Sequence, residues 1–256
     1  MKAIYAIASV SIFLLFWEIF YHLIVRDPFL LAPPSKVIPT FVSLMSFQDS
    51  SFKMPIDAIF SLYHYLLGFS FALTLGTSLG LLMGYFRRLE SFISPVVELV
   101  RPIPPIAWIP ISILLLKLTH TAAGFIIFIG AFFPIILNTR DGVASVEKKF
   151  VEVALTLGAS RFEILRKVII PASMPSIFTG IRVGSGVAWM CVVAAELFGV
   201  SAYGLGYQIE IARLYHAPEI VISYMACIGL IGYALDNVYK FLENRLLKWR
   251  RGLVVE

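Results

Sequence analysis

The chain has 256 residues, a formal net charge of +5 and a mean hydropathy of +0.86. Hydrophobic residues make up 59% of it and charged residues only 14%, whereas a soluble domain is usually about one quarter charged. The composition therefore excludes an ordinary soluble domain and predicts a protein that is solvated by lipid.

A bilayer core about 30 Å thick needs roughly 20 apolar residues of helix to cross it. Six stretches meet this requirement, at about 3–25, 57–86, 94–117, 120–140, 173–199 and 219–242. No alternation typical of a β-barrel is visible, so the predicted fold class is an all-α polytopic membrane protein with six transmembrane helices. We divide the chain into a first helix at 1–25, an external segment at 26–56, a core at 57–242 and a basic tail at 243–256. The first apolar run is too long for a signal peptide, and we expect it to be retained.

Lysine and arginine residues near the helix ends predict the orientation. With the N-terminus in the cytoplasm, the outer side holds only Arg26, Lys36, Lys53, Lys117 and Arg213. The cytoplasmic side then holds Lys2, Arg87, Arg88, Arg140, Lys148, Lys149, Arg161, Arg166, Lys167, Lys240, Arg245, Lys248, Arg250 and Arg251. We therefore expect both termini in the cytoplasm. The positive charge is a topology signal, which argues against nucleic acid as a partner.

Two features stand out before the core. Glu18 lies within the apolar first helix, where an acid normally faces protein or water, or lies close to the bilayer boundary. A short amphipathic helix is predicted at 35–47, with Ser35 as its N-cap.

The second helix contains glycines at every fourth position, Gly76, Gly80 and Gly84. Small residues at this spacing let another helix approach closely in lipid. We interpret them as a helix-packing surface, the alternative being glycines that a membrane helix merely tolerates.

The third helix is expected to begin at Ser94-Pro95, an N-cap followed by proline at the first helical position. It then meets Pro102, Pro104, Pro105 and Pro110, which release backbone groups that need other partners. Irregular backbone of this kind is tolerated where it is buried or lines a cavity. We therefore place four residues of this segment on a translocation pathway, Arg101, Pro104, Pro105 and Trp108; a structural kink is the alternative. Pro134, followed by Asn138, interrupts the fourth helix in the same way, and we add both residues to the pathway candidates.

The fifth helix carries two charges, Arg182 and Glu196, with Trp189 between them. Intramembrane charge is a functional hypothesis by default, and we add these three residues to the pathway or gate candidates. Arg182 has either a structural role, by snorkelling or by meeting Glu98 or Glu152, or a role in gating or anion attraction. Glu196 either gates or contacts an external partner, or is hydrated at the interface.

The segment at 147–172 is the one long stretch of dense charge inside this apolar sequence. Its first part predicts a short amphipathic helix that is broken at Gly158. A second helix begins at Ser160, which forms a capping box with Glu163. Pro171 and Pro175 predict a helix break before the next apolar run.

The order Glu152, Ala154, Gly158, Ala159, Ile170-Pro171 and Pro175 resembles the cytoplasmic loop of ATP-binding-cassette importer permeases. Val153 stands where that loop has its first Ala, and Ile170 where it has Leu. The resemblance extends over nearly the whole chain, through segments at 32–35, 101–110, 131–139 and 204–207. It is strongest with the branch that imports nitrate, sulfonates, taurine, bicarbonate or thiamine precursors.

The resemblance implies a type I importer permease fold in a prokaryotic inner membrane. It implies four kinds of partner: a second copy of the permease, two cytoplasmic ATPase subunits that bind ATP and Mg, an external binding protein and the lipid bilayer. In that family the first helix of the loop docks in a groove of the ATPase. The matching candidates for ATPase coupling are Val151, Glu152, Ala154, Leu157, Gly158, Ala159, Ser160 and Arg161.

No phosphate-binding loop, nucleophile elbow or zinc motif occurs, so we predict no catalysis and no cofactor or metal in this chain. The four histidines are scattered and are interpreted as packing or interfacial residues, and Cys191 and Cys227 as packed thiols.

The leading hypothesis is therefore the permease of an ATP-driven importer for a small solute, expected to be an anion such as a sulfonate, taurine, nitrate or bicarbonate. The alternatives are import of a thiamine-precursor pyrimidine or another small vitamin precursor, a gradient-driven secondary carrier, and a membrane scaffold.

Overall fold

A computed structural model of the protein describes residues 2–46 and 52–247. These residues form helices and connecting loops without a β-strand, as the sequence predicted. The helices are α1 (Lys2–Phe20), α2 (Pro34–Met45), α3 (Met54–Tyr85), α4 (Arg87–Val100), α5 (Ile109–Leu116), α6 (His120–Ala144), α7 (Lys148–Thr156), α8 (Arg161–Ile164), α9 (Ile170–Leu197), α10 (Leu205–Leu214) and α11 (Pro218–Leu246). The predicted basic residues Lys248, Arg250 and Arg251 lie outside the described residues.

Among the described residues, five helical segments are long and apolar enough to cross a membrane: Ile7–Val25, Met54–Tyr85, His120–Ala144, Arg161–Leu197 and Pro218–Leu246. A sixth candidate span is a bent pair, α4 followed by a 3-10 turn at Pro105–Trp108 and α5, with a bend of 87° between its two parts. The prediction of one continuous third helix at 94–117 is therefore wrong. Prolines at 102, 104 and 105 cannot donate backbone hydrogen bonds, so the helix ends at Val100.

The predicted start of that helix at Ser94-Pro95 is also wrong. α4 begins at Arg87, directly after Phe86, whose extended backbone ends α3. Glu90 in the first turn favours this start because it faces the positive end of the helix dipole. Pro95 lies inside α4.

The core of the bundle consists of α3, α6 and α9, with α6 in the middle. Along the contact between α3 and α6, both helices run in the same direction. Successive residues Gly76, Gly80 and Gly84 of α3 lie against successive residues of α6, namely Ile135, Thr139 and Val143. α9 runs in the opposite direction, since Gly180 lies against Asn138 and Gly184 against Ile135.

Glu18 links α1 to α2 through hydrogen bonds. It accepts hydrogen bonds from the backbone N–H of Ser35 (3.0 Å) and from its hydroxyl (2.7 Å), and it contacts His22 at 3.0 Å. Of the three environments considered for Glu18, the structure shows the one in which it faces protein. The predicted N-cap at Ser35 is wrong: Pro33 precedes the helix, and the Ser35 hydroxyl is used by Glu18.

The predicted helix break at Pro171 and Pro175 is wrong as well. The chain stays helical from Arg161 to Leu197 through a π-helical segment at Leu165–Ile169. Because Pro171 has no N–H, the turn before it widens, and the Ile170 N–H donates to the Leu165 carbonyl, five residues back. α8 and α9 therefore form one continuous rod.

Candidate functional site

α7 packs one face against the bundle and leaves the other exposed. Its inward residues, Val151 and Ala154, join Ala159 in packing against a cluster formed by Val143 of α6 and by Ile164 and Ile169 of the α8–α9 rod. Five apolar side chains on the other side are half or more exposed: Phe150, Val153, Leu155, Leu157 and Phe162. We call these five residues the exposed α7–α8 surface. Leu157 is 83% exposed.

The break between α7 and α8 is fixed by backbone geometry. Gly158 has a φ of +80°, which suits glycine, and its N–H donates to the Leu155 carbonyl at 2.9 Å. The Ala159 N–H donates to the Ala154 carbonyl at 3.0 Å, which completes a Schellman motif. α7 therefore ends at a defined angle rather than in a flexible loop.

The predicted capping box is confirmed. The Glu163 N–H donates to the Ser160 hydroxyl oxygen (3.3 Å), and the Ser160 N–H donates to the Glu163 carboxylate (3.1 Å). Lys167 adds an ion pair to the same carboxylate at 2.9 Å. The start of the α8–α9 rod is thus held directly after the break.

The coupling candidates divide into two groups. Glu152, Leu157, Gly158, Ser160 and Arg161 are exposed, whereas Val151, Ala154 and Ala159 pack against the permease itself. The remaining members of the exposed surface, Phe150, Val153, Leu155 and Phe162, were not among the residues predicted from the sequence. The amphipathic pattern of the loop was the signal that could have identified them.

An open cavity of about 480 Å³ lies between the irregular segment after α4, α6 and α9. Of the pathway candidates, it brings together Arg101, Pro105, Pro134 and Asn138. Pro134 has no N–H, so the carbonyl of Gly130, which also lines the cavity, lacks its usual helical donor. The other lining residues are apolar except Asp141, whose carboxylate is paired with Arg140 at 2.7 Å.

Two candidates from the same segment lie elsewhere. Pro104 is exposed outside the cavity lining. Trp108 packs edge-on against Phe125, with ring centroids 6.3 Å apart, and its indole N–H is buried with no hydrogen-bond partner among the described residues.

Arg182 and Trp189 face α11. The Arg182 Nε donates to Asp236 at 2.8 Å, and the Trp189 indole N–H donates to the Ile228 carbonyl at 3.1 Å. The expected partners of Arg182, Glu98 and Glu152, are therefore wrong. No local pattern in α9 indicates which residue of a helix so distant in sequence will lie opposite.

Glu196 is fully buried, so of the two alternatives considered for it the hydrated interfacial acid is wrong. Its carboxylate accepts from the Ser61 hydroxyl (2.8 Å) and from the Gly206 N–H (2.9 Å), and it contacts His64 Nδ1 at 2.7 Å. His64 is in turn hydrogen-bonded to His120 at 2.7 Å. Both histidines were predicted to be packing or interfacial residues, and this network was not predicted.

A helical membrane bundle with an irregular helix beside an open cavity, and with an exposed amphipathic helix fixed at one end, defines a transport permease. The chain matches the family model described as "Binding-protein-dependent transport system inner membrane component" over residues 72–248. The chain belongs to this family and is the permease of an ATP-binding-cassette importer.

Three relatives with similar sequences are also named as transport permeases. The chain is 43% identical to a putative ABC transporter permease protein of Methanocaldococcus jannaschii, covering 92% of this chain and 88% of the relative. It is 30% identical to the taurine transport system permease protein TauC of Escherichia coli (95% and 89%). It is also 32% identical to the putative aliphatic sulfonates transport permease protein SsuC of Bacillus subtilis (94% and 86%).

A solved structure shows the fold. A chain of the MetNI methionine ABC transporter, in an inward facing conformation, superposes with a TM-score of 0.63 at 18% identity. The match covers 73% of this chain and 93% of that chain. The predicted type I importer permease fold is confirmed.

Proposed function

We propose that the exposed α7–α8 surface is the docking site of a cytoplasmic ATPase subunit. The observation that carries this proposal is the exposure of five apolar side chains along α7, the turn that follows it and the start of α8, while Val151 and Ala154 of α7 pack against the core. Burial of a side chain of this kind contributes about 1.5–3 kcal/mol. A partner with an apolar groove would therefore gain substantial binding energy here.

Motion of that partner would reach the core through two rigid connections. Val151 and Ala154 pack α7 against the cluster of Val143, Ile164 and Ile169, and the Schellman turn at Gly158 joins α7 to the capped start of the α8–α9 rod. ATP and Mg bind to two such ATPase subunits, and this chain has no catalytic role. When the two ATPase subunits close on each other, they would move α7, and α6 and α9 would tilt together with it.

The family description supports further partners. A binding-protein-dependent system implies an external substrate-binding protein, and we propose that two copies of this chain form the permease pair. The basic residues near the α7 end of the bundle, including Arg87, Arg88 and Lys148, support placing this end and both termini in the cytoplasm of a prokaryote.

The substrate that the cavity supports best is a small anion. Arg101 places a guanidinium on its wall and makes no ion pair within the described part of the chain, whereas the acid on the same wall, Asp141, is already paired with Arg140 at 2.7 Å. Asn138 adds an amide on the same wall, although its Nδ2 already donates to the Pro134 carbonyl at 2.8 Å. Guanidinium groups bind sulfonate-like and carboxylate-like oxygens through charge-assisted hydrogen bonds. The taurine and sulfonate permeases among the relatives support the same substrate class.

The test is ATPase activity of this chain reconstituted in nanodiscs with its co-expressed ATPase and a candidate binding protein. The panel is nitrate, taurine, an alkanesulfonate, bicarbonate and an aminopyrimidine. Stimulation by one of the anions loaded on the binding protein supports both the assembly and the substrate class. Stimulation by the aminopyrimidine alone would overturn the anion proposal but not the importer. Failure of the ATPase to assemble would overturn the coupling proposal.

A further inference from the structure

The cluster of Glu196, His64 and His120 lies at the end of the bundle away from α7. His120 is the first residue of α6, and Ala144, its last, comes shortly before α7; a helix of this length separates the two by roughly 36 Å. The cluster joins four helices, because Glu196 belongs to α9, His64 to α3 and His120 to α6, while Gly206 is in the first turn of α10.

The Glu196 carboxylate is in close contact with the beginning of α10. Ser61 accepts the Leu205 N–H at 2.9 Å, so its own hydrogen goes to Glu196. A β-carbon built on Gly204 would come within 2.2 Å of the Glu196 carboxyl group. Glu196 is thus clamped between α3 and α10, and its remaining oxygen faces His64.

The hydrogen bonds limit how many protons the two imidazoles can hold. An ionised carboxylate only accepts, so His64 Nδ1 must donate to Glu196. The bond between His64 Nε2 and His120 Nδ1 then needs one donor and one acceptor. Either both rings are neutral and His120 donates, or one ring carries an added proton and donates to the other ring, which stays neutral. A second added proton would place two N–H groups against each other across 2.7 Å.

The surroundings leave His120 as the ring that can turn away. His64 and Glu196 are 0% exposed, whereas His120 is partly exposed. The titratable groups that face the cluster are Glu196 from α9, Tyr63 from α3 and Tyr203 from the loop before α10, the two tyrosine rings lying 5.6 and 5.9 Å from the His120 ring. Asp57, one turn before Ser61 on α3, is bonded instead to Gln208 of α10 and Tyr224 of α11.

We propose that Glu196, His64 and His120 form a proton-limited clamp, which holds α3, α6, α9 and α10 together with at most one added proton and opens at His120 when a second proton binds. Acid on this side of the membrane then loosens the end of the bundle opposite the exposed α7–α8 surface. The unfolded chain can charge both imidazoles, whereas the closed cluster can charge only one. At the acid end of the range where imidazoles titrate, both imidazoles of the unfolded chain are charged and the unfolded state binds more protons, so the stability of the closed bundle falls as the pH drops.

The experiment measures the apparent thermal unfolding midpoint of the full-length protein in nanodiscs between pH 8 and pH 5. We expect the wild-type midpoint to fall by several degrees on acidification. His120→Gln, whose amide can donate to His64 without ever charging, should flatten this dependence. The matched controls His22→Gln and His216→Gln remove the two histidines outside the cluster and should keep the full dependence.

Imidazole ¹⁵N spectra of the same protein give an independent measurement in case one variant fails to fold. The clamp predicts that a second cationic ring appears in the wild type only together with faster solvent exchange at the His120 ring. An acid dependence that is unchanged in His120→Gln, or two cationic rings with His120 still protected, would overturn the proposal.

Discussion

Gly80 of α3 lies so close to Thr139 of α6 that a β-carbon on the glycine would come within 2.6 Å of the threonine Cβ. The same β-carbon would lie 2.7 Å from the Ile136 carbonyl oxygen, which is backbone and cannot turn away. Without a hydrophobic drive between helices in lipid, such close approach provides the dispersion contacts that hold the core together.

This relationship predicts that Gly80→Ala destabilises the bundle by about 1–3 kcal/mol, the usual cost of overpacking. Gly186→Ala is the matched control, because a β-carbon there has no neighbour within 4 Å. Thermal unfolding in nanodiscs should show a lower midpoint for the first variant only. Equal midpoints would mean that α3 and α6 are further apart than described.

The Schellman turn predicts that a substitution of Gly158 acts through backbone strain and not through a steric clash. Nothing lies within 4 Å of its β-position, but its φ of +80° strains a β-branched residue by about 1–2 kcal/mol. Gly158→Val should therefore shift α7 relative to the rod and abolish substrate-stimulated ATPase activity, while the protein still inserts. Gly158→Asn, which tolerates positive φ, should retain most of the coupling. Wild-type coupling in the valine variant would contradict the rigid-turn account.

The cavity wall predicts a charge requirement at Arg101. Arg101→Gln should reduce the initial rate of anion uptake by about tenfold, the equivalent of ~1.4 kcal/mol. Arg101→Lys, which keeps the charge but loses the planar fork, should fall between this variant and the wild type. Uptake into proteoliposomes measures both. An unchanged rate in Arg101→Gln would remove this residue from the pathway.

The sequence was sufficient for those features that depend on local or periodic patterns. Apolar length predicted the membrane spans, glycine spacing predicted a packing surface on α3, and Ser160 with Glu163 predicted the capping box. The prediction of a continuous third helix was wrong because the number of prolines indicates an irregular backbone but does not give the size of the bend, which is 87°.

Long-range polar pairs were not predictable in this way. Glu196 and His64 are 132 positions apart, and Arg182 and Asp236 are 54 apart. Which side chains meet depends on how α3, α6, α9 and α11 are rotated, and no property of a single helix determines that rotation. An intramembrane charge could be recognised from the sequence, but its partner could not.

Binding of the ATPase to the exposed α7–α8 surface can be measured by co-purification of a co-expressed ATPase with the tagged permease. Leu157→Asp places a charge at the most exposed apolar position of this surface. Leu118→Asp is the matched control, since Leu118 is also exposed but lies in the loop before α6, at the other end of the bundle. We expect the Leu157 variant to retain about a tenth or less of the wild-type ATPase, because burying the charge cancels the apolar gain, and the Leu118 variant to retain all of it. Full retention by the Leu157 variant would contradict the docking surface and, with it, the proposed route from ATPase to core.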